Sequence, residues 1–197
     1  MSEGGERPMK AVLFDFNGTL YNDTALHMAA WKNFFRKFFD MKLTDEEVFR
    51  RCIGPSNADI FADFFHGTLS EAEVARMSGE KEKEYLAAAR SDPKNLQLMD
   101  GAPEMFDRLT ERCVPFALAT ASPIGNVEFY LEDLGLKRWF TLDRIVYDEG
   151  TLPCKPDPAF YIEAARRLGL TPRECVIVED SRTGIQAAVN AGAGRIV

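Results

Sequence analysis

The stretch Lys10-Ala-Val-Leu-Phe-Asp15-Phe-Asn17-Gly18-Thr19-Leu20 constrains this chain more than any other. Residues 10–16 form a short apolar run of strand formers, the length of one buried strand. Asp15 falls among the last apolar residues, and Asn17-Gly18-Thr19 breaks the run into a tight turn. A carboxylate at the C-terminal edge of a parallel strand stands where open α/β sheets bind their ligands. Asp also favours turns for conformational reasons, so this stretch alone leaves a structural and a functional reading open.

The rest of the chain is large enough to build a core around that strand. Its 197 residues are 46% hydrophobic and 28% charged, in the range of an ordinary globular domain with a modest insertion. The formal net charge of −7, with no basic run, argues against a duplex nucleic-acid binder, which needs a positive face to follow phosphates. A small phosphorylated ligand needs only one or two local cations and stays open. Cys52, Cys113, Cys154 and Cys175 are scattered without a Cys-x-x-Cys pair, which reads as reduced thiols in a cytoplasmic protein. No apolar run reaches the roughly 18 residues of a membrane span. Residues 1–8 are polar and glycine-bearing and read as a flexible leader.

Two grammars follow the opening strand. Residues 23–96 read as helix throughout: 25–39, with Leu26, Ala30, Phe34 and Phe38 at a spacing of four widened by Ala29, Trp31 and Phe35; 44–51, begun by the capping box of Thr44 and Glu47; a helix capped by Ser56 or Asn57 and ending at Phe65; and a long one begun by Ser70, with Glu73 three residues later, and running to about Arg90. This is a small helical bundle inserted after the first strand. From residue 97 on, helices at 103–112, 123–134, 158–168 and 183–191 alternate with strands at 114–119, 144–147, 175–178 and 195–197. Such alternation means a parallel sheet covered on both faces, an α/β fold, with residues 9–22 and 97–197 forming one domain.

Four polar clusters fall at or beside the strand ends: Asp15 with Asn17, Thr120 with Ser122, Lys155, and Glu179 with Asp180. In a doubly wound sheet those ends share one edge, so the clusters converge. Three crowded carboxylates repel unless a cation sits among them, and oxygen ligands that leave positions for water and phosphate suit Mg²⁺. Lys155 adds a fixed positive charge and Thr120 a hydroxyl, which together describe a phosphoryl-transfer site with Asp15 as nucleophile. Each cluster also has a plain structural reading: Thr120 and Ser122 as helix caps, Lys155 as a solvated loop lysine, the acids as favourable charges at a helix start.

The order Asp15-Phe-Asn-Gly-Thr-Leu20, Thr120-Ala-Ser122, Lys155-Pro-Asp-Pro158 and Glu179-Asp-Ser181 resembles the haloacid dehalogenase-like hydrolase superfamily, in the group similar to β-phosphoglucomutase and phosphoglycolate phosphatase. The resemblance spans nearly the whole chain. It implies a Rossmann-like doubly wound core with an inserted all-helical cap at 23–96. It further implies catalysis by Asp15, Thr120 and Lys155 with residue 17, and Mg²⁺ held by Asp15, the backbone carbonyl of Asn17, and Asp180 with help from Glu179. Substrate contacts are implied at Gly18, Thr19, Ala121 and Ser122, and in the cap at His27, Gly54, Asn57 and Lys81. The implied ligand is a small phosphorylated metabolite, with neither nucleic acid nor membrane as partner and a monomer as the default state.

Asn17 departs from the pattern, which has a second aspartate there as general acid and base. An amide hydrogen-bonds but cannot shuttle a proton, and loss of such help costs about 10²–10⁴ in rate. Three readings follow: a phosphatase acting on a substrate with a good leaving group, with His27 as a candidate replacement acid; a binding or sensing protein that keeps a slow Asp15 phosphate; or an introduced Asp-to-Asn trap. A mutase is disfavoured by Asn17 and by Asn57, which stands where the mutase group carries a phosphate-gripping arginine. A dehalogenase is disfavoured by Lys155 and the paired acids, and a receiver domain by the helical insert. The chain also stops at the strand 195–197, where related chains continue, so the sheet edge is expected to be short or truncated.

Overall fold

The computed structural model describes residues 9–197, so the expected leader 1–8 lies outside the described residues. In chain order the elements are β1 (Ala11–Phe14), α1 (Thr24–Phe39), α2 (Asp45–Cys52), α3 (Asn57–Phe65) and α4 (Glu71–Arg90). There follow α5 (Ala102–Glu111), β2 (Phe116–Pro123), α6 (Ile124–Glu132) and β3 (Ile145–Asp148). The last are α7 (Ala159–Arg167), β4 (Cys175–Val178), α8 (Arg182–Asn190) and β5 (Arg195–Ile196). The chain divides into two compact units, one made of the chain up to Tyr21 with Leu98–Val197, the other of Asn22–Gln97.

In the first unit all strand pairs are parallel and lie in the order β3-β2-β1-β4-β5. β1 is apolar at every position because both its faces are covered. Ala11 and Leu13 join a core with Phe160, Ala164, Ala165 and Ile177. Phe14 points the other way, edge-on to Phe106 of α5, which in turn packs on Phe116 and Phe140. The chain runs from β1 outward to β2 and β3, then returns to place β4 on the other side of β1. That reversal puts a crevice at the C-terminal ends of β1 and β4.

β2 is longer than the expected strand. It runs on through Pro123, with a register shift against β3 between Ala119 and Pro123. Thr120, Ala121 and Ser122 therefore lie within the extended strand rather than past its end, because the irregularity lets one strand continue while its partner's pairing is interrupted. They do not cap the next helix either: the N-cap of α6 is Pro123, without a side-chain hydrogen bond.

The second unit is all helix and holds its own core of Trp31, Phe34, Phe35, Val48, Ile60, Phe61 and Met77. Both expected capping boxes close, Thr44 with Glu47 and Ser70 with Glu73, and Ser56 caps α3. The apolar stripe of α1 is narrower than the sequence spacing suggests, since Ala29 is exposed and Phe38 is 39% exposed. Steps of four residues overrun a 3.6-residue turn by about 40°, so the row from Leu26 rotates off the buried face by Phe38. Among the described residues no helix is long and apolar enough to cross a membrane, and all four cysteines are free thiols.

Candidate active site

β1 ends at Phe14, opposite Val178 of β4, and the Asp15 N–H donates to the Val178 carbonyl at 3.0 Å. The register thus sets Asp15 beside Glu179 across the crevice. The turn after Asp15 closes on the Phe16 carbonyl, which accepts from the N–H groups of Thr19, Leu20 and Tyr21. Gly18 takes φ +83° there, and a Cβ at this position would lie 2.3 Å from Asp180 Oδ2. Only glycine allows both that conformation and that approach. Thr19 Oγ1 donates to Asp180 Oδ1 at 2.9 Å, tying the turn to the end of β4.

Lys155 enters from the loop before α7 and donates to Asp15 Oδ1 at 2.6 Å, Glu179 Oε2 at 2.7 Å and the Tyr161 hydroxyl at 3.1 Å. Tyr161 donates to the same Glu179 oxygen. The other oxygen, Oε1, accepts from the Ser181 N–H and hydroxyl at 3.1 and 2.9 Å. Gly184 permits this seat, since a Cβ there would sit 1.9 Å from Glu179 Oε2. Glu179 is thus occupied on both oxygens by protein donors, and its first contribution is to hold Lys155.

Burial governs the electrostatics. It pushes the Asp15 carboxyl up to about 6; Lys155 opposes the rise, while Glu179 and Asp180 add to it. Burial also disfavours the Lys155 ammonium, but the charges of Asp15 and Glu179 outweigh it and hold the amine above its usual range. Glu179 is likewise held below the usual carboxylate range: burial works against its charge, and Lys155 overcomes that. The Tyr161 phenol is raised far out of reach of titration by burial and by the Glu179 and Asp15 charges, so it stays a donor.

Carboxylate oxygens of Asp15, Glu179 and Asp180 lie within 4.8 Å of one another. With Glu179 engaged, Asp15 and Asp180 are the carboxylates with an oxygen that no described residue donates to. An all-oxygen set with spare lone pairs and a glycine held against it fits a hard divalent cation.

A second group of expected residues gathers around Asn17. Thr120 and Ser122 hydroxyls both donate to Asn17 Oδ1, at 3.2 and 2.9 Å, and Asn17 Nδ2 donates to the Tyr130 hydroxyl at 3.0 Å. Ala121, between them, is exposed. Tyr130 and Tyr161 carry no sequence motif. The available signal was that a buried tyrosine needs a partner for its hydroxyl; Tyr130 lies in the helix that directly follows β2, and Tyr161 in the helix after the Lys155 loop.

The expected residues of the helical unit form their own network. Lys81, 2% exposed, donates to His27 Nδ1 at 2.9 Å and Glu82 Oε1 at 3.0 Å, and Asn57 donates to the same Glu82 oxygen at 2.9 Å. An ammonium only donates, so His27 accepts at Nδ1 and keeps its proton on Nε2, 3.3 Å from Asp23 Oδ2. Both ring nitrogens of His27 are thus engaged inside the helical unit. Gly54 takes φ +104° in the loop before α3, where a Cβ would meet nothing within 4 Å.

The profile of the haloacid dehalogenase-like hydrolases matches residues 9–192. The chain belongs to this family. Among relatives of this hydrolase, validoxylamine A 7'-phosphate phosphatase of Streptomyces hygroscopicus subsp. limoneus is 30% identical over 93% of this chain and 82% of its own length. The 6-phosphogluconate phosphatase of Escherichia coli is 28% identical over 93% and 80%. Among solved structures, a family IA, variant 3 HAD hydrolase from Entamoeba histolytica is 35% identical over 94% of this chain and 82% of that one, with a TM-score of 0.86. The hydrolase fold of a Rossmann-like core with a helical insertion is shared with that neighbour.

Proposed function

We propose that this hydrolase is a Mg²⁺-dependent phosphatase that works through a phosphoryl group on Asp15. One observation carries the reading: Asp15 sits at the sheet's switch point with Lys155 on one oxygen and Asp180 beside it. Asp15, Asp180 and the backbone carbonyl of Asn17 would hold the ion, which would neutralise phosphoryl charge and orient the phosphate. Asp15 attacks phosphorus as the ester P–O bond breaks, and the leaving group departs with the electron pair. Water then attacks the phosphorus of the aspartyl-phosphate, the bond to Asp15 breaks, and inorganic phosphate leaves. Lys155 supplies positive charge to the transferring group throughout. Gly18, Thr19, Ala121 and Ser122 are assigned to the phosphate, and the helical unit, with His27, Gly54, Asn57 and Lys81, to the remainder of the substrate.

Similarity to enzymes named as phosphatases of 6-phosphogluconate and of validoxylamine A 7'-phosphate supports a small phosphorylated metabolite as substrate. Asn17 cannot protonate a leaving oxygen, so the substrate is one whose leaving group departs as an anion. The same residue favours a second reading, a sensor in which the Asp15 phosphate persists. Intact-mass spectrometry with acetyl phosphate and Mg²⁺, alongside phosphate release and an Asn17→Asp control, decides between them. Steady Mg²⁺-dependent release without an adduct supports the phosphatase. A lasting adduct with little release supports the sensor, and neither adduct nor release overturns both.

A further inference from the structure

Where Lys155, Glu179 and Tyr161 meet, every hydrogen-bonding position of the two charged groups is filled. An ammonium has three N–H groups, and those of Lys155 go to Asp15 Oδ1 at 2.6 Å, Glu179 Oε2 at 2.7 Å and the Tyr161 hydroxyl at 3.1 Å. A carboxylate accepts at about four positions, and Glu179 fills them with Lys155 and Tyr161 on Oε2 and the Ser181 N–H and hydroxyl on Oε1. The Tyr161 hydroxyl thus gives its proton to Glu179 and accepts one from Lys155. Its ring lies in α7, fully buried in the core that also holds Ala11 and Leu13 of β1 and Ile177 of β4, so packing against the sheet fixes where the hydroxyl stands.

Two carboxylates compete for this one ammonium. The Glu179 side chain is 1% exposed and that of Asp15 10%, so Glu179 has less water to fall back on and the stronger demand for the cation. Without the phenol, Glu179 Oε2 would have a lone pair to spare and Lys155 an N–H without an acceptor, both buried and both costly. One movement relieves the two defects together: the ammonium turns a second N–H onto Glu179 and draws away from Asp15. The phenol forestalls that movement by occupying both positions, and as a neutral group it adds no charge to the competition.

We propose that Tyr161 is a positioning residue for Lys155: by taking one N–H of the ammonium and one lone pair of Glu179 Oε2, it keeps the lysine shared between Glu179 and Asp15 rather than turned wholly onto Glu179. The consequence for catalysis rests on the reading of Asp15 as the phosphorylated nucleophile. Tyr161 touches neither Asp15 nor the phosphoryl group in this account, and acts on the transfer only through the place it gives the lysine charge.

Two readouts test this separately, both with Tyr161→Phe, which keeps the buried ring and removes only the hydroxyl. The first is nuclear magnetic resonance of the lysine ammonium groups in the full chain labelled with ¹⁵N-lysine, without metal or substrate, the Lys155 signal being the one lost in Lys155→Arg. We expect protected Lys155 protons, and at least about tenfold faster exchange after Tyr161→Phe. Exchange unchanged by Tyr161→Phe overturns the proposal. The second is the single-turnover rate of Asp15 phosphorylation by saturating acetyl phosphate with Mg²⁺ in four chains: the parent, Tyr161→Phe, Lys155→Met and the double variant. Removing the hydroxyl should slow the reaction about tenfold in the parent and less than about twofold where residue 155 is already methionine, a coupling that a purely structural role would not produce. Equal factors in both backgrounds overturn the positioning role. Failure of every chain to form an adduct would remove Asp15 as nucleophile and with it the catalytic consequence, while ammonium exchange still decides whether Tyr161 holds Lys155.

Discussion

Lys155 Nζ stands 2.6 Å from Asp15 Oδ1 and 2.7 Å from Glu179 Oε2, so a single cation bridges the proposed nucleophile and the acid that closes β4. The bridge is nearly dry, with the three side chains between 1% and 10% exposed. Removing the ammonium leaves two buried carboxylates without their counter-charge. Lys155→Met is expected to slow Asp15 phosphorylation by acetyl phosphate about 10²-fold or more, and to cost about 3–5 kcal/mol of stability. Single-turnover mass spectrometry and urea denaturation measure the two. A change in rate with no change in stability would mean that Lys155 contacts only the substrate.

Asp15 makes the metal-free protein less stable as pH rises. Its folded-state value is about 6 against 3.8 for the free side chain, chiefly through burial, so between those values the folded chain holds a proton that the unfolded chain has released. Stability therefore falls as pH rises through that window, by about 3 kcal/mol at most when the carboxylate is fully ionised, a shift of about 2 pH units. Asp15→Asn removes the charge and should raise the melting temperature in EDTA at pH 7.5, with the advantage shrinking at pH 4.5. A difference independent of pH would sink this account.

Gly18 and Asp180 test the proposed cation site from the backbone side. Gly18→Ala places a Cβ 2.3 Å from Asp180 Oδ2 and strains a residue at φ +83°. The expected result is a loss of about 1–3 kcal/mol of stability and a Mg²⁺ requirement shifted to higher concentration. Titration calorimetry with Mg²⁺ reads the second effect directly. An unchanged Mg²⁺ affinity would argue that Asp180 is not a ligand.

Lys81 offers a test within the helical unit. Its ammonium is buried between His27 Nδ1 and Glu82 Oε1 and lies 5.2 Å from the Trp31 ring. Lys81→Met removes the ammonium that donates to Glu82 and His27, which should cost about 1–3 kcal/mol. Thermal denaturation checks this, and an unaltered melting temperature with a raised KM would assign Lys81 to the substrate instead.

Much of this was legible in the sequence. The apolar run ending in Asp15, the capping boxes at Thr44 and Ser70, and the alternation after residue 97 each encode structure locally, because periodicity, caps and turns act over a few residues. The motif order was enough to name the family, and the profile match over residues 9–192 agrees. The continuation of β2 through Ser122 was not legible, since a register shift depends on the neighbouring strand. The drift of Phe38 off the α1 stripe, by contrast, follows from the helix pitch alone and could be read from the spacing.

The sequence by itself determined that a carboxylate would close a buried parallel strand, and that asparagine would stand two residues on. Tertiary structure alone decided what surrounds them. Tyr161 and Tyr130 lie 146 and 115 positions from Asp15 along the chain, and no local rule brings a phenol to a carboxylate over that distance. Sheet order and helix packing do, since a buried hydroxyl or charge is stable only where the fold gives it a partner.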